Sequence, residues 1–450
     1  MNNIQERAIY RTRLFSLLAE KFGWSIGGYT LAFEVSGTAG IIALALSMMS
    51  AATISSGCLY YLGLDVRPRQ IRWALAWRGL SFAFMLLGGY YGRLWLVVAG
   101  GVASGIFVGV FWPTFYGIQR ICGLDFTKWN ARDKIAGAVI VLASGYIVDL
   151  LGPEEVLIIS LGAILCSVVF SKNLGGSEVV HVSSGGTNKI VQFHAIFSPP
   201  SLIAMAEGAF NWMTNLTKLL VIMAGLVELS GLSPYLGLGM LLAVTQASGA
   251  VFTWGVKILV GRGRRVVTRL VAVGLVVSFA SCSLLMSAST WFAGMVLLSI
   301  GSAIVFPILK DEVDDLLDQS GVGGRGLREY SRNIGRLVGS LITSAVWVAN
   351  PELPMLALPI AGSVLIIASL WSFIHRKIPI SVYKRILPNG SSPRGLVAQI
   401  IIGKGGEKIG LMKWIVIGTA AVVAGPIVLP LLAAGNCDGI DGGCGGCDDE

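Results

Sequence analysis

Charge is scarce in this chain. Only 13% of its 450 residues are Asp, Glu, Lys or Arg, about half of the ~25% usual in soluble globular proteins, which excludes an ordinary water-soluble domain. Histidine is nearly missing. His181, His194 and His375 are too few and too scattered to build a Ser/His/Asp constellation. The phosphate-cradling loop is also lacking, because Lys404-Gly405-Gly406-Glu407-Lys408 does not have the Gly-x4-Gly-Lys-Ser/Thr spacing. A nucleotide-driven pump is therefore excluded, and no enzymatic chemistry is expected. No convincing signal-cleavage site follows the first apolar segment, so it reads as a retained signal anchor. What the chain does have is apolar surface: 54% hydrophobic residues and a mean hydropathy of +0.74. That is the composition of a polytopic helical membrane protein, in which each crossing takes about 20 apolar residues.

Twelve apolar segments can be laid out as six and six. The first half holds residues 14–33, 38–61, 73–91, 94–117, 134–151 and 155–171. The second holds 202–226, 235–259, 266–287, 291–309, 333–349 and 353–374. Their connections alternate in charge. Arg7, Arg11 and Arg13 precede the first, and the even connections carry bases such as Arg67, Arg69, Arg120, Lys172, Arg262, Arg328, Arg332 and Arg376. The odd ones are short and carry Glu34, Glu154, Glu155, Glu228 and Glu352, with Arg93 as the exception. A Lys/Arg bias in short loops sets membrane orientation, so both ends of this body are expected in the cytoplasm of a plasma (cytoplasmic) membrane. The net charge of +9 then serves orientation and anionic headgroups rather than nucleic acid. The stretch Gly101 to Gly109 places small residues four apart, a pattern that lets helix backbones approach closely in lipid.

Domains follow from these patterns. Residues 1–171 form a first six-helix bundle, 172–200 a cytoplasmic linker, and 201–374 a second six-helix bundle. Residues 375–412 read as another cytoplasmic linker, 413–434 as a thirteenth crossing, and 435–450 as a Cys/Gly/Asp-rich external tail. The stretch from Asp311 to Arg328 reads as a long inner loop, acidic first and then rich in Gly and Arg. In the tail, Cys437, Cys444 and Cys447 stand among carboxylates. Thiolates favour copper(I) or zinc, and the Cys444-x2-Cys447 spacing matches half a zinc site. A disulfide or an unliganded surface tail are the alternatives. Beyond that tail no cofactor is expected.

The halves echo each other. Leu18-Ala19-Glu20 to Trp24 matches Met205-Ala206-Glu207 to Trp212. Phe111-Trp112-Pro113, where the fourth span ends, matches Val305-Phe306-Pro307 in the tenth. Arg132-Asp133 to Gly137 matches Arg332-Asn333 to Arg336. Internal symmetry of this kind is common in transporters. On these residues the chain resembles the major facilitator superfamily across residues 1–374. That resemblance implies an all-α membrane fold of twelve helices in two pseudo-symmetric halves, both termini inside, with a thirteenth helix added here. The family's loop between helices two and three is degenerate in Gly63-Leu64-Asp65-Val66-Arg67-Pro68-Arg69. Gly261-Arg262-Gly263-Arg264-Arg265 keeps its basic end better, and Arg328 to Arg336 resembles the start of helix eleven in some prokaryotic members.

Ionisable residues inside spans are expensive and therefore point to function. Glu20 and Glu207 are symmetry mates, suited to binding a proton or to gating; as a structural alternative each complements a helix N-terminus. Lys218 lies too deep to snorkel easily and needs a partner or an anionic solute. Arg78 is expected to snorkel to the inner face, and Asp149 to sit solvated near the outer one. Trp24, Tyr29, Trp112, Asn211, Trp212 and Asn215 fall on the helices that line the central cavity in the resembling family, with Tyr116, Gln246 and Trp254 at similar depth. The expected function is secondary active transport of a small solute by alternating access, with protons as a candidate coupling ion and the bilayer as the other partner. A metal-ion or metal-complex transporter using the Cys tail is one alternative. A transporter-like scaffold or sensor without flux is the other.

Overall fold

The computed structural model describes residues 3–62, 68–121, 126–174, 196–227, 231–260, 264–320 and 324–349. Regular structure among them is helical throughout. The helices are α1 (Asn3–Leu18), α2 (Tyr29–Leu62), α3 (Pro68–Tyr91), α4 (Leu94–Ile121), α5 (Phe126–Leu151) and α6 (Pro153–Ser171). They continue with α7 (Pro199–Met223), α8 (Pro234–Val260), α9 (Arg264–Leu284), α10 (Trp291–Ser320) and α11 (Gly324–Ala349). A π-helical segment, Ala19–Gly28, joins α1 to α2, so the first crossing runs through all three. It ends inside α2 at Ser36 and Gly37, where φ is 59° and ψ −148° at the glycine. Only a residue without Cβ takes that turn cheaply, and the second crossing follows it directly. The first eleven expected spans are thus found as helix. The span 353–374, the run 413–434 and the tail with Cys437, Cys444 and Cys447 lie outside the described residues.

Among the described residues six helical stretches are long and apolar enough to cross a membrane by length and composition alone. The surface of α5 shows what surrounds them. Ile135, Val139, Leu142, Tyr146 and Leu150 are exposed along one face at helical spacing, while Ala138, Val141 and Val148 are buried on the other. An exposed apolar stripe opposite a packed face is what lipid as solvent selects. The protein is a multi-pass membrane protein.

Bases and acids collect at opposite ends. Arg11 lies over the Phe170 ring at 5.4 Å, and Arg72 reaches the Lys172 carbonyl at 3.4 Å, which brings the starts of α1 and α3 to the end of α6. At the other end Tyr235 donates to Glu34 at 3.3 Å, and Glu34 feels the charge of Glu154. These are called the basic and acidic ends below.

Within each half α2 packs on α4 and α7 on α11, while α5 on α8 and α2 on α11 join the halves. The α2–α4 contact requires Gly105, where a Cβ would collide with the Met48 carbonyl and press on Ala51. Close backbone approach replaces the hydrophobic driving force that lipid removes.

Two expectations about helix ends are corrected. Pro113 and Pro307 lie within α4 and α10 rather than at their ends. A membrane helix tolerates the lost N–H of an internal proline, and next to Pro113 the Thr114 hydroxyl bonds the Val110 carbonyl at 2.7 Å. The inner loop expected from Asp311 to Arg328 is mostly helix, because α10 continues to Ser320 and α11 begins at Gly324. Hydropathy marks where a helix leaves lipid. The backbone ladder needs no lipid and runs on.

Candidate functional site

A cavity of about 490 Å³ lies between the halves. Its wall comes from the first crossing, α2, α3, α4 and α5 on one side and α7, α8, α10 and α11 on the other. Glu20, Trp24, Tyr29, Trp112, Glu207, Asn211, Trp212, Asn215 and Lys218 all line it, with Tyr116 and Gln246. Trp254 does not. It is 62% exposed on the outer face of α8, where an indole meets lipid headgroups as an interfacial anchor.

The π-helical segment sets the first wall. Its wide turn puts the Ser25 hydroxyl 3.4 Å from the Glu20 carbonyl five residues earlier. The Phe22 carbonyl accepts from Ser144 of α5 at 2.8 Å, which satisfies a buried backbone group. Glu20, Lys21 and Trp24 reach the cavity from this segment. π-helical turns recur at functional sites for this reason.

Ion pairs fix both halves near the basic end. Arg13 of α1 donates to Asp133 of α5 at 2.7 Å and lies 3.5 Å from Glu20. Its guanidinium also covers the Trp112 ring at 4.6 Å, and the Tyr116 ring stacks with Trp112 at 5.3 Å. In the second half Glu207 of α7 meets Arg332 at 3.1 Å and Arg328 at 3.5 Å, both from α11. Glu329, 2% exposed, backs the same arginines at 3.8 and 3.7 Å. Symmetry-mate acids thus sit at equivalent places, each held by arginine. The first crossing pairs with α5 as α7 pairs with α11.

Arg78 is a correction. It does not snorkel: it is 1% exposed and donates to the Ser104 hydroxyl. Phe107, Trp24 and Phe82 ring its guanidinium at 4.4, 5.0 and 5.6 Å. Snorkelling needs a free path to water, and these rings close it while their π faces stabilise the charge. Arg328 and Arg332 are a second correction, since they stand within α11 on the cavity wall rather than in a loop. Arg13, Asp133 and Lys134 also line the cavity, although none of them was a site candidate from the sequence. The signal was available: Arg328, Arg332 and Arg336 recur every four residues, one face of a helix, and Arg13 precedes Glu20 by two turns. Asp149 is exposed near the acidic end, as expected.

Among the described residues the lining carries eight Arg or Lys side chains against three Asp or Glu. The same residues contain no group of three His, Cys, Asp or Glu able to hold a metal ion.

No family model and no curated protein sequence matches the chain. Solved structures do. The nucleoside transporter NupG aligns at 14% identity and a TM-score of 0.56, covering 84% of this chain and 100% of that one. A bacterial homologue of the iron transporter ferroportin, in an outward-facing state with soaked iron, aligns at 11% identity and a TM-score of 0.59, again over 84% and 100%. The helices of this chain are arranged in the major facilitator superfamily fold.

Proposed function

We propose that this protein is a secondary active transporter carrying a small amphipathic solute across the cytoplasmic membrane by alternating access. One observation carries the proposal: a single cavity whose polar and charged lining is contributed by both six-helix halves, so that rocking of one half against the other changes its exposure. The likeness to solved transporters of nucleosides and iron supports it at the level of fold. The separation of basic and acidic ends supports an orientation with the N-terminus in the cytoplasm. Glu20 and Glu207 are the coupling candidates, because an acid that exchanges an arginine partner for a proton ties protonation to movement of α1 or α7.

Burying so many charges around one cavity disfavours a flux-free scaffold, which gains nothing from the cost. The basic excess disfavours a bare metal cation as the cargo of this cavity. Cys437, Cys444 and Cys447 remain a proposal for metal capture at the tail, independent of the cavity.

The test is flux in proteoliposomes. Uptake of a radiolabelled amphiphile should follow an imposed pH gradient and fall about tenfold or more in Glu207→Gln, which removes a charge that two arginines share. Undiminished uptake in Glu207→Gln and Lys218→Ala together would sink the transport reading of this cavity.

A further inference from the structure

Among the described residues the cavity wall holds lysines short of counterions. Lys218 of α7 is 6% exposed, and among the described residues its ammonium makes neither an ion pair nor a hydrogen bond. Lys21 has one carboxylate, Glu20 at 3.7 Å, which Arg13 already engages at 3.5 Å. Among the described residues Lys134 of α5 reaches only neutral acceptors of α8, the Thr253 hydroxyl at 3.0 Å and the Gly249 carbonyl at 3.5 Å. These three lysines line the same cavity, and Lys21 reaches Gly137 of α5, one turn from Lys134. On the same cavity wall, the buried indole N–H of Trp212 has no acceptor among the described residues.

Taking one ammonium out of water costs several kcal/mol, and like charges placed together add repulsion. A fold tolerates this where something negative visits. The aromatic rings on the same wall offer flat apolar surface, which a bare inorganic anion would leave unused. We propose that the cavity binds an organic anion, its carboxylate or phosphate held between Lys21 and Lys218 and its apolar body against Trp24 and Trp212. This rests on the transport proposal and names the class of solute for the same site. Lys21 belongs to the first half and Lys218 to the second, so an anion between them turns repulsion across the seam into attraction. An occupied cavity therefore closes more readily than an empty one, which is the differential interaction a population shift requires.

Purified full-length protein in detergent is titrated with naphthoate, naphthyl phosphate, neutral naphthamide and naphthylmethylammonium, followed by tryptophan quenching and thermal shift. At least one anion should bind, with the amide at least about tenfold weaker and the ammonium weaker still. Which anion binds tighter separates a carboxylate from a phosphate solute. Lys218→Gln and Lys21→Gln should each weaken anion binding at least about tenfold, Lys218→Arg should restore it, and Arg93→Gln, an exposed turn residue, should leave it unchanged. Ligand-free Lys218→Gln should melt at the same temperature as the parent or higher, because an unpaired buried charge has been removed. The inference is overturned if neither anion binds, if the amide or ammonium binds as tightly, if Lys218→Gln leaves anion binding intact, or if that variant melts lower. Flux is scored separately in proteoliposomes. Anion binding without flux refutes transport and keeps the site; flux of naphthamide without anion preference does the reverse.

Discussion

Asn333 of α11 donates to the Ser56 hydroxyl of α2 at 3.0 Å, a buried hydrogen bond across the seam between the halves. The Asn333 carbonyl in turn accepts from Thr53 at 3.1 Å, and Tyr330 stacks on Tyr60 at 5.9 Å one turn away. This part of α2 and α11 holds the two halves in contact. Losing the side-chain bond in Asn333→Ala should weaken the seam by about 1 kcal/mol. A cysteine placed at Thr53 should then react with a water-soluble thiol reagent about fivefold faster than in the parent background. An unchanged labelling rate would mean that the seam is held by something else.

The Arg13–Asp133 pair makes a different forecast. Arg13 is 5% exposed and Asp133 24% exposed to the cavity. Asp133→Asn leaves a buried guanidinium with only Glu20 and the Trp112 face. The loss should be about 2–3 kcal/mol, less than the ~3–5 of a fully buried pair because cavity water reaches Asp133. Thermal denaturation in detergent measures it. The double variant Arg13→Met with Asp133→Leu should recover most of the melting temperature while losing flux.

Helix spacing is testable with a pair of glycines. A Cβ at Gly105 would strike the Met48 carbonyl, whereas one at Gly162 of α6 meets nothing within 4 Å. Gly105→Leu should cost about 2 kcal/mol or more through overpacking and lower the yield of monodisperse protein. Gly162→Leu should be near neutral. Equal behaviour of the two variants would contradict the α2–α4 packing described above.

Arg78 should resist conservative replacement. Lysine keeps the charge but loses the flat guanidinium that spans Trp24, Phe82 and Phe107 while reaching Ser104. Arg78→Lys should destabilise by about 1–2 kcal/mol and shift Trp24 emission, read in a background with the other cavity tryptophans replaced by phenylalanine.

Some of this was legible in the residues. The first eleven spans could be placed from hydropathy within a few residues of their lipid-facing cores, and Gly101 to Gly109 already indicated a close helix contact. The repeat of Glu20 in Glu207 and of Pro113 in Pro307 put matching residues at matching places. Helix ends were less readable, since α10 runs past Pro307 to Ser320. Arg78 was misjudged for a related reason: sequence depth suggests a route to water, and only packing reveals that Phe107 and Trp24 stand in it. Arg328 and Arg332 looked like loop charge because their counterion, Glu207, is on another helix.

Sequence alone determined the solvent, the helical character of the first eleven apolar segments and the inward placement of Glu20, Glu207 and Lys218. Each of these depends on local apolar content and on the energy of moving charge out of water, and both are properties of short stretches. Tertiary structure decided which charges found partners. Glu207 was joined to Arg328 and Arg332, Arg13 to Asp133, and Lys218 was left without a partner among the described residues, because these pairings depend on distances between helices far apart in the chain, which no local pattern encodes.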